Sequence, residues 1–494
     1  MSTADSISSY PTERTSTGKL GSDEPPVIIV GGGLAGLATA AVLSQHHLPV
    51  LLLESRPRLG GRASSVVDAT SGMLIDTCQH VAMGCCTNFL HFCDMLGVSS
   101  AFRTAERLHF IAPDGTIVPF TASSLPAPFH LTRALAKLPY LNWREKWILA
   151  SGIRRLIRLS DDEADRLPFA DWLIAAAQPE RVIERFWNVV LVSALSESAD
   201  RISTRYARQV IVEAFLRHRR GWEVHLPIKP LTEIYAAMVR ELESRGVIVR
   251  VQAGVRDLEA TSDRVTAVVL RDESRLSCSD CVLAVSFDRV MSLLPEALRS
   301  DPALAGIAQL QAAPISSVHL WFDREVCPLP HAVFVDRFSQ WIFQRSSIAD
   351  ENNSVRANPE LSQSFYYQVV ISASRNVVEL DSEKVVEQVL DDLRRVWPEV
   401  SSARLLQSRV LTDHRAVFSP LAGVDRLRPE QQSPIQNLQL AGDWTKTGWP
   451  ATMESAVRSG FLAAENILRQ RGIAANVVQE TLPGTRLGKW LLGL

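Results

Sequence analysis

The sequence lacks several features that define common protein classes. Its 54 acidic residues nearly balance its 52 basic residues, so the formal net charge of -2 provides no overall attraction to nucleic acid. The longest stretch without Asp, Glu, Lys or Arg, residues 25–53, is interrupted by three glycines at 31–33. We therefore predict neither a membrane span nor a secretory signal, and we expect a cytoplasmic protein that binds no nucleic acid.

The seven cysteines do not form a metal-binding pattern. Four of them crowd residues 78–93, and Cys278 and Cys281 form a CxxC pair. Neither group is accompanied by a second CxxC or by a histidine pair at zinc spacing. We predict no metal site and interpret the cysteines as reduced, small apolar side chains.

A glycine-rich turn between two apolar runs is the most informative motif that is present. The run Val27–Val30 precedes Gly31, Gly33 and Gly36, and a second apolar run ends at Glu54. Gly31 permits a tight strand-to-helix turn, Gly33 lets backbone N–H groups approach a pyrophosphate, and Gly36 lets the helix pack on the sheet. A carboxylate at the position of Glu54 accepts hydrogen bonds from a ribose. This order of elements predicts a dinucleotide-binding unit; a glycine-rich loop without a ligand is the alternative.

Two further elements narrow the choice of dinucleotide. Residues 56–62 read Arg-Pro-Arg-Leu-Gly-Gly-Arg, in which the paired glycines let backbone lie along a cofactor and Arg62 can neutralise a phosphate or meet a flavin edge. Far along the chain, residues 438–441 are predicted to form a short buried strand that ends at Gly442 and Asp443, and a helix is predicted to begin within residues 451–460. A carboxylate at the end of a strand suits a ribityl or phosphate group, and free N–H groups in a first helical turn suit a flavin pyrimidine.

Together these elements resemble the superfamily of FAD-dependent amine oxidases and phytoene desaturases. The likeness rests on the glycine turn, the Gly-Gly-Arg element and residues 441–456, and it runs from about Val27 to about Leu468. It implies bound FAD and an α/β fold in which a Rossmann-type FAD-binding domain is interleaved with an α+β substrate domain. The implied FAD-binding residues are Gly31, Gly33, Leu34, Ala35, Gly36, Glu54, Gly61, Arg62, Val255, Gly442, Asp443, Thr452 and Met453. Since residues 441–460 contain no cysteine, we expect the FAD to be held without a covalent bond.

The apolar patterns and the resemblance divide the chain of 494 residues into two domains and two tails. We predict the FAD-binding domain at residues 25–98, 226–296 and 408–472, and the substrate domain at residues 99–225 and 297–407. Residues 1–24 are predicted to be a disordered tail, and residues 473–494 a C-terminal tail. Within the substrate domain, residues 131–214 are expected to be mainly helical, and the strands between residues 317 and 371 are expected to form a β-meander.

Within the superfamily, residues 75–89, 186–188 and 443–445 are most similar to the hydroxysqualene dehydroxylases of squalene and hopanoid biosynthesis. This resemblance implies a hydrophobic isoprenoid substrate, reductive removal of its hydroxyl group to give squalene, and an electron donor that the sequence does not identify. Carotenoid desaturation or isomerisation and flavin-dependent amine oxidation are alternative functions. A lipid carrier in which FAD is only a structural element is the non-enzymatic alternative.

Expulsion of a hydroxyl group requires a general acid near the flavin. Asp76 and His80 lie four residues apart in a segment that is expected to approach the cofactor, and we predict them as the acid and its orienting partner. Structural roles are the alternative for both residues. Asp76 would then cap the following helix, and His80 would bond a backbone carbonyl.

Residues 131–158 carry seven basic residues and one acidic residue, Glu145, and these alternate with Trp143, Trp147 and several leucines. Basic residues on one face and Trp or Leu on another suit a helix that lies on anionic lipid headgroups. A solvated helical face over a packed core is the alternative. Because an isoprenoid substrate dissolves only in membranes, we predict peripheral contact with membrane lipid.

Overall fold

The computed structural model of the chain describes residues 24–346, 361 and 363–493. The predicted disordered tail, apart from Glu24, lies outside these residues. The strands of the described residues are β1 (Val27–Val30), β2 (Val50–Leu53), β3 (Ser65–Val67), β4 (Leu74–Asp76), β5 (Ala82–Met83), β6 (Phe102–Ala105), β7 (Leu108–Ile111), β8 (Ile117–Phe120), β9 (Val224–Pro227), β10 (Ile248–Arg250), β11 (Val255–Ala260), β12 (Val265–Leu270), β13 (Arg275–Ser277), β14 (Asp280–Leu283), β15 (Ala312–Phe322), β16 (His331–Phe334), β17 (Trp341–Gln344), β18 (Phe365–Ser372), β19 (Leu405–Phe418) and β20 (Leu438–Leu440).

The helices of the same residues are α1 (Leu34–Gln45), α2 (Thr87–Met95), α3 (Thr132–Ala136), α4 (Trp143–Ile157), α5 (Asp161–Arg166), α6 (Phe169–Ala175), α7 (Glu180–Val182), α8 (Asn188–Leu195), α9 (Thr204–Gln209), α10 (Leu231–Ser244), α11 (Phe287–Leu293), α12 (Glu296–Arg299), α13 (Ser382–Arg394), α14 (Glu399–Ser402), α15 (Met453–Gln470) and α16 (Arg486–Leu492). Two further segments, Ile183–Trp187 and Val210–Leu216, are π-helical. None of the helices in the described residues is long and apolar enough to cross a bilayer.

A parallel sheet with the strand order β10-β2-β1-β14-β20 underlies the glycine turn. Its central strands β1 and β2 are apolar and buried along their whole length, as expected for a parallel sheet that is covered on both faces. Helix α1 follows β1 and packs against both this sheet and α15. Gly460 of α15 permits close packing, because a Cβ atom there would lie 2.3 Å from the carbonyl oxygen of Ala35. The contact between α1 and α15 therefore joins the N-terminal and C-terminal parts of the FAD-binding fold.

The second large sheet has the strand order β19-β15-β18-β17-β16-β7-β8. Its strands pair antiparallel, except for the parallel pair β16 and β7. The predicted β-meander holds only for β16, β17 and β18, because β15 pairs with β18 and β19 rather than with β16. Strand β19 was not predicted, and the expected boundary between residues 407 and 408 falls inside it. Since β19 pairs with β15 as far as Phe418, the substrate-side sheet extends beyond that boundary.

Residues 132–216 are mainly helical, as the sequence predicts, and this helical layer lines the same cavity as the seven-stranded sheet. Beyond α15, the chain does not leave the molecule as a free tail. The side chain of Glu465 accepts hydrogen bonds from the backbone N–H groups of Val477 and Val478, and Asn88 accepts one from the backbone of Gln479. The C-terminal segment thus follows the surface of the protein from the parallel sheet towards the helical layer.

Candidate active site

One cavity extends from the carboxyl ends of β1 and β2 to the space between the seven-stranded sheet and the helical layer. Its volume is about 2020 Å³. Pockets for a single small molecule usually measure about 300 to 1,000 Å³, so this cavity has room for a cofactor and a second large molecule. The part between the sheet and the helices is lined mainly by apolar side chains, among them Phe110, Phe120, Phe186, Phe215, Trp341 and Phe343.

The glycine turn forms a cradle at one end of this cavity. Gly31 has a φ of +114°, and a Cβ atom there would lie 2.4 Å from the carbonyl oxygen of Ala284. Gly33 and Gly61 both line the cavity and approach each other closely, since a Cβ atom on Gly61 would lie 3.4 Å from the Cα atom of Gly33. Side chains at these two positions would fill the space that a pyrophosphate needs. No side chain caps α1, so the N–H groups around Leu34 and Ala35 remain for phosphate oxygens.

Glu54 lies at the carboxyl end of β2 and lines the same cavity. Its carboxylate accepts hydrogen bonds of 2.8 Å from the backbone N–H groups of Gly32 and Arg56, which fix it beside the glycine turn. Val255 lines the cavity at the start of β11. The structure thus brings both residues to the cavity that the glycine turn lines.

Arg62 and Asp443 form an ion pair at the other end of the cradle, with 2.5 Å between Nη2 and Oδ1. Burial opposes the charge of Arg62, but the neighbouring Asp443 raises its pKa above the ordinary value.

Gly442, with a φ of +152°, donates a backbone hydrogen bond to Ser459 of α15. Next to it, Thr452 caps α15 by accepting a hydrogen bond from the N–H group of Ser455.

The first residue of α15, Met453, lines the cavity together with Thr452, Gly442 and Asp443. The positive end of the helix dipole therefore points at the cavity. The paired glycines, the carboxylate of Glu54 and this helix end are the features that FAD requires for its pyrophosphate, ribose and flavin. The residues present fit FAD at this site.

The structure does not bring Asp76 to the cavity. Its side chain is buried and ion-paired with Arg345, with 2.5 Å between Oδ2 and Nη2. The other carboxylate oxygen accepts hydrogen bonds from Ser65 and from the backbone N–H group of Leu231. Because the carboxylate is committed to these partners, it is not placed to protonate a leaving group. Asp76 does not cap α2 either; the buried carboxylate of Glu454 does so, by accepting hydrogen bonds from the N–H groups of Asn88 and Phe89.

His80 does line the cavity, and its Nδ1 atom lies 3.0 Å from the carbonyl oxygen of Cys78. Burial lowers the pKa of His80, so the neutral imidazole is favoured. Neutral imidazole is a weak proton donor compared with the charged form. The geometry matches the backbone contact that was the structural alternative for this residue.

Sequence reasoning missed most of the substrate side of the cavity. Its apolar wall comes from short helices and strands that are far apart in the chain, and such residues cannot be distinguished in the sequence from an ordinary core. It also missed Glu213, which lines the cavity from a π-helical segment and pairs with Arg217. Burial raises the pKa of Glu213. π-Helical turns often occur at functional sites, but no sequence signal marks this one.

Comparisons with known proteins agree with this geometry. The model of the family described as flavin containing amine oxidoreductase matches residues 34–468. The 15-cis-phytoene desaturase of Solanum lycopersicum is 27% identical over 475 residues, which cover 92% of this chain and 80% of the relative. A probable zeta-carotene desaturase of Synechococcus elongatus is 26% identical over 494 residues, which cover 91% of this chain and 100% of the relative. A structure of putrescine oxidase with bound putrescine superposes with a TM-score of 0.63 at 17% identity, covering 90% of this chain and 99% of that protein, which shows the shared fold.

These relatives correct the predicted reaction. They are a phytoene desaturase and a probable zeta-carotene desaturase, so the expectation of a hydroxysqualene dehydroxylase is wrong. Of the residues that suggested it, Phe186 lines the apolar part of the cavity, but Asp443 and residues around His80 line its FAD end. Such residues identify the cofactor and carry little information about the substrate.

Proposed function

The chain belongs to the family of flavin-containing amine oxidoreductases and is an FAD-dependent oxidoreductase, and from this premise we propose that it desaturates a long, linear carotenoid precursor of the phytoene type. The observation that carries the proposal is the likeness to phytoene and zeta-carotene desaturases over more than nine-tenths of this chain. A large apolar cavity that is continuous with the FAD cradle supports it, because such a substrate offers no polar group for recognition.

Bound FAD would supply the two-electron acceptor for removal of two hydrogens from the substrate. The cavity wall of the chain would hold the hydrocarbon beside the cofactor and exclude water. Several polar groups in this wall have hydrogen-bond partners within the protein. The indole N–H group of Trp341, for example, donates to the hydroxyl oxygen of Ser193 at 3.0 Å, so Trp341 presents its ring to the cavity.

Desaturation needs no general acid to expel hydroxide. This agrees with the structure, because Asp76 forms a buried ion pair with Arg345 and does not reach the cavity. Desaturation also changes the kind of redox partner that the enzyme needs. A reductive enzyme would need an electron donor, whereas repeated desaturation needs an electron acceptor that reoxidises the flavin. We propose such an acceptor as a partner in place of the predicted donor.

The proposal can be tested with the FAD-loaded enzyme and 15-cis-phytoene in liposomes, by mass analysis of the product. We expect products that have lost hydrogens in pairs. An unchanged mass with altered double-bond geometry would instead identify an isomerase, and hydrogen peroxide released from added amines would identify an amine oxidase. Either result would contradict the proposed desaturation.

A matched pair of variants tests the substrate side of the cavity. Ala194 lies on α8 and lines the cavity, whereas Ala175 lies at the end of α6 on the exposed surface. We expect Ala194→Phe to lower kcat/KM for phytoene at least tenfold while FAD content stays unchanged, because the new ring occupies the hydrocarbon site. Ala175→Phe should leave both quantities at the wild-type level. Equal activity of the two variants would contradict binding of the substrate in this cavity.

We also propose that α4 contacts anionic lipid. Trp143 and Trp147 are 68% and 73% exposed on this helix, beside the exposed Arg154, Arg155 and Arg158. Exposed indole rings next to cations are typical of interfacial helices. In co-sedimentation with vesicles, the wild type should bind better when anionic lipid is included, and Trp143→Ala/Trp147→Ala should lose most of this binding. Retained binding of the double variant would contradict the proposal.

A further inference from the structure

The C-terminal helix α16 lies outside the residues that match the family model, yet it reaches the cavity. The family match ends at residue 468, and the helix covers Arg486–Leu492. Two of its residues, Leu491 and Leu492, line the cavity. No motif in the sequence points to this placement.

Specific contacts hold α16 at this position. The hydroxyl group of Thr485 caps the helix by accepting a hydrogen bond from the N–H group of Gly488, and it donates one of 2.7 Å to the carbonyl oxygen of Ala127. Gly488 is buried beside Pro128, since a Cβ atom on Gly488 would lie 4.0 Å from the Pro128 ring. The helix is therefore docked against the loop that precedes α3.

Leu492 contacts two elements that line the cavity, α4 and the second π-helical segment. It packs against a small cluster that is centred on Ile157 of α4 and Val212 of the second π-helical segment, together with Ile153 and Leu216. Its neighbour Leu491 is 40% exposed and lines the cavity at the same time. A residue that meets both solvent and the cavity marks the rim of an opening.

The rest of this rim comes from the loop before α3 and from α3 and α4. Phe129, Thr132, Ala150 and Arg154 are exposed and also line the cavity. At the FAD end, the exposed lining residues are instead charged, as in Arg56, Arg256 and Arg271. The rim beside α16 thus includes the apolar side chains of Phe129, Ala150 and Leu491 as well as Thr132 and Arg154, and it leads to the apolar part of the cavity.

We propose that α16 forms one wall of the substrate entrance and that Leu491 and Leu492 determine which apolar molecules pass it. A slender hydrocarbon chain can pass end-on beside these leucines, whereas a wider molecule meets their side chains. The identity of the substrate in this inference rests on the proposed function; the position of the entrance rests on the geometry of α16.

The width of the entrance can be changed in both directions without removing the helix. Leu491→Ala/Leu492→Ala should widen it, and Leu492→Trp should narrow it. Trp490 provides a matched control, because it is 80% exposed on the same helix and does not line the cavity. Trp490→Ala therefore removes a large side chain from α16 without changing the passage.

The probe is diphenylhexatriene, a rod-shaped apolar polyene whose fluorescence rises when it leaves water. Its association with the FAD-loaded enzyme is measured by stopped flow, and FAD content and thermal midpoint are recorded for each variant. We expect the double alanine variant to associate at least threefold faster than the wild type, Leu492→Trp at least threefold slower, and Trp490→Ala at the wild-type rate. Any other ordering of these rates would overturn the proposal.

This experiment separates the entrance from the reaction. The association rate of the probe does not depend on turnover, so it remains informative for an enzyme that fails to desaturate phytoene. The expected rates without desaturation would support the entrance and reject the proposed substrate. Desaturation with identical probe rates in all variants would reject the entrance and leave the proposed function intact.

Discussion

Replacement of Asp76 by Asn separates a structural role of this residue from the catalytic role that the sequence suggests. The substitution preserves side-chain volume and an acceptor for Ser65 and Leu231, but it removes the negative charge that faces Arg345. The guanidinium group of Arg345 is 5% exposed and would remain buried without its ionic partner. Loss of one partner from a buried ion pair costs about 3 to 5 kcal/mol, so we expect the free energy of unfolding to fall by about that amount.

The assay is urea-induced unfolding of the FAD-loaded enzyme at fixed FAD concentration, together with kcat per bound FAD. Arg345→Met and the double variant complete a thermodynamic cycle, in which we expect the two substitutions to be clearly non-additive. The variant Asp76→Asn should retain kcat per bound FAD within a few-fold. Loss of a general acid would instead lower kcat by about 10²- to 10⁴-fold, and such a loss with unchanged stability would refute the structural role.

Three further predictions concern the cofactor cradle, a helix cap and the buried histidines. Gly61→Val should weaken FAD binding at least tenfold while the protein stays folded, because Gly61 has a φ of +64° and faces Gly33; FAD per protein after gel filtration measures this, and full retention would contradict the cradle. Glu454→Ala should cost about 1 to 3 kcal/mol in urea unfolding, because the first N–H groups of α2 lose their buried acceptor, and wild-type stability would contradict the cap. Burial lowers the pKa values of His130, His319 and His331 to about 4, 3 and 4. Below pH 6.5 these histidines are therefore protonated in the unfolded chain but remain neutral in the folded chain. Stability should therefore fall as the pH drops from about 6.5 towards 4, by up to about 4 kcal/mol per pH unit, and a flat profile of urea midpoints would contradict these burials.

The FAD half of the molecule could be predicted from the sequence because its determinants are local. The turn at Gly31, the close approach at Gly36 and the carboxylate at the end of β2 each follow from backbone chemistry over a few residues. These signals sufficed for the fold class, the family and the cofactor. The ion pair of Arg62 and Asp443 joins two such local motifs that lie far apart in the chain.

The other features of the fold and the site depend on contacts between residues far apart in the chain, which no local sequence pattern indicates. Arg345, the partner of Asp76, lies 269 residues away, and without it a buried aspartate looks like a candidate acid. Strand β19 alternates polar and apolar residues only weakly, and it is fixed by its pairing with β15. The cavity wall is apolar and therefore looks like core, so the sequence around the cofactor suggested the wrong substrate. Helix α16 has seven residues, too few for a clear periodicity.

The central claim, oxidative desaturation of a phytoene-type hydrocarbon, is tested most directly by a single anaerobic turnover. Enzyme with oxidised FAD is mixed with 15-cis-phytoene in liposomes, and the visible absorbance of the flavin is followed while the product is analysed by mass. We predict that the flavin is bleached and that one product molecule lacking two hydrogens forms per flavin reduced. A flavin that stays oxidised, with phytoene recovered unchanged, would contradict the account.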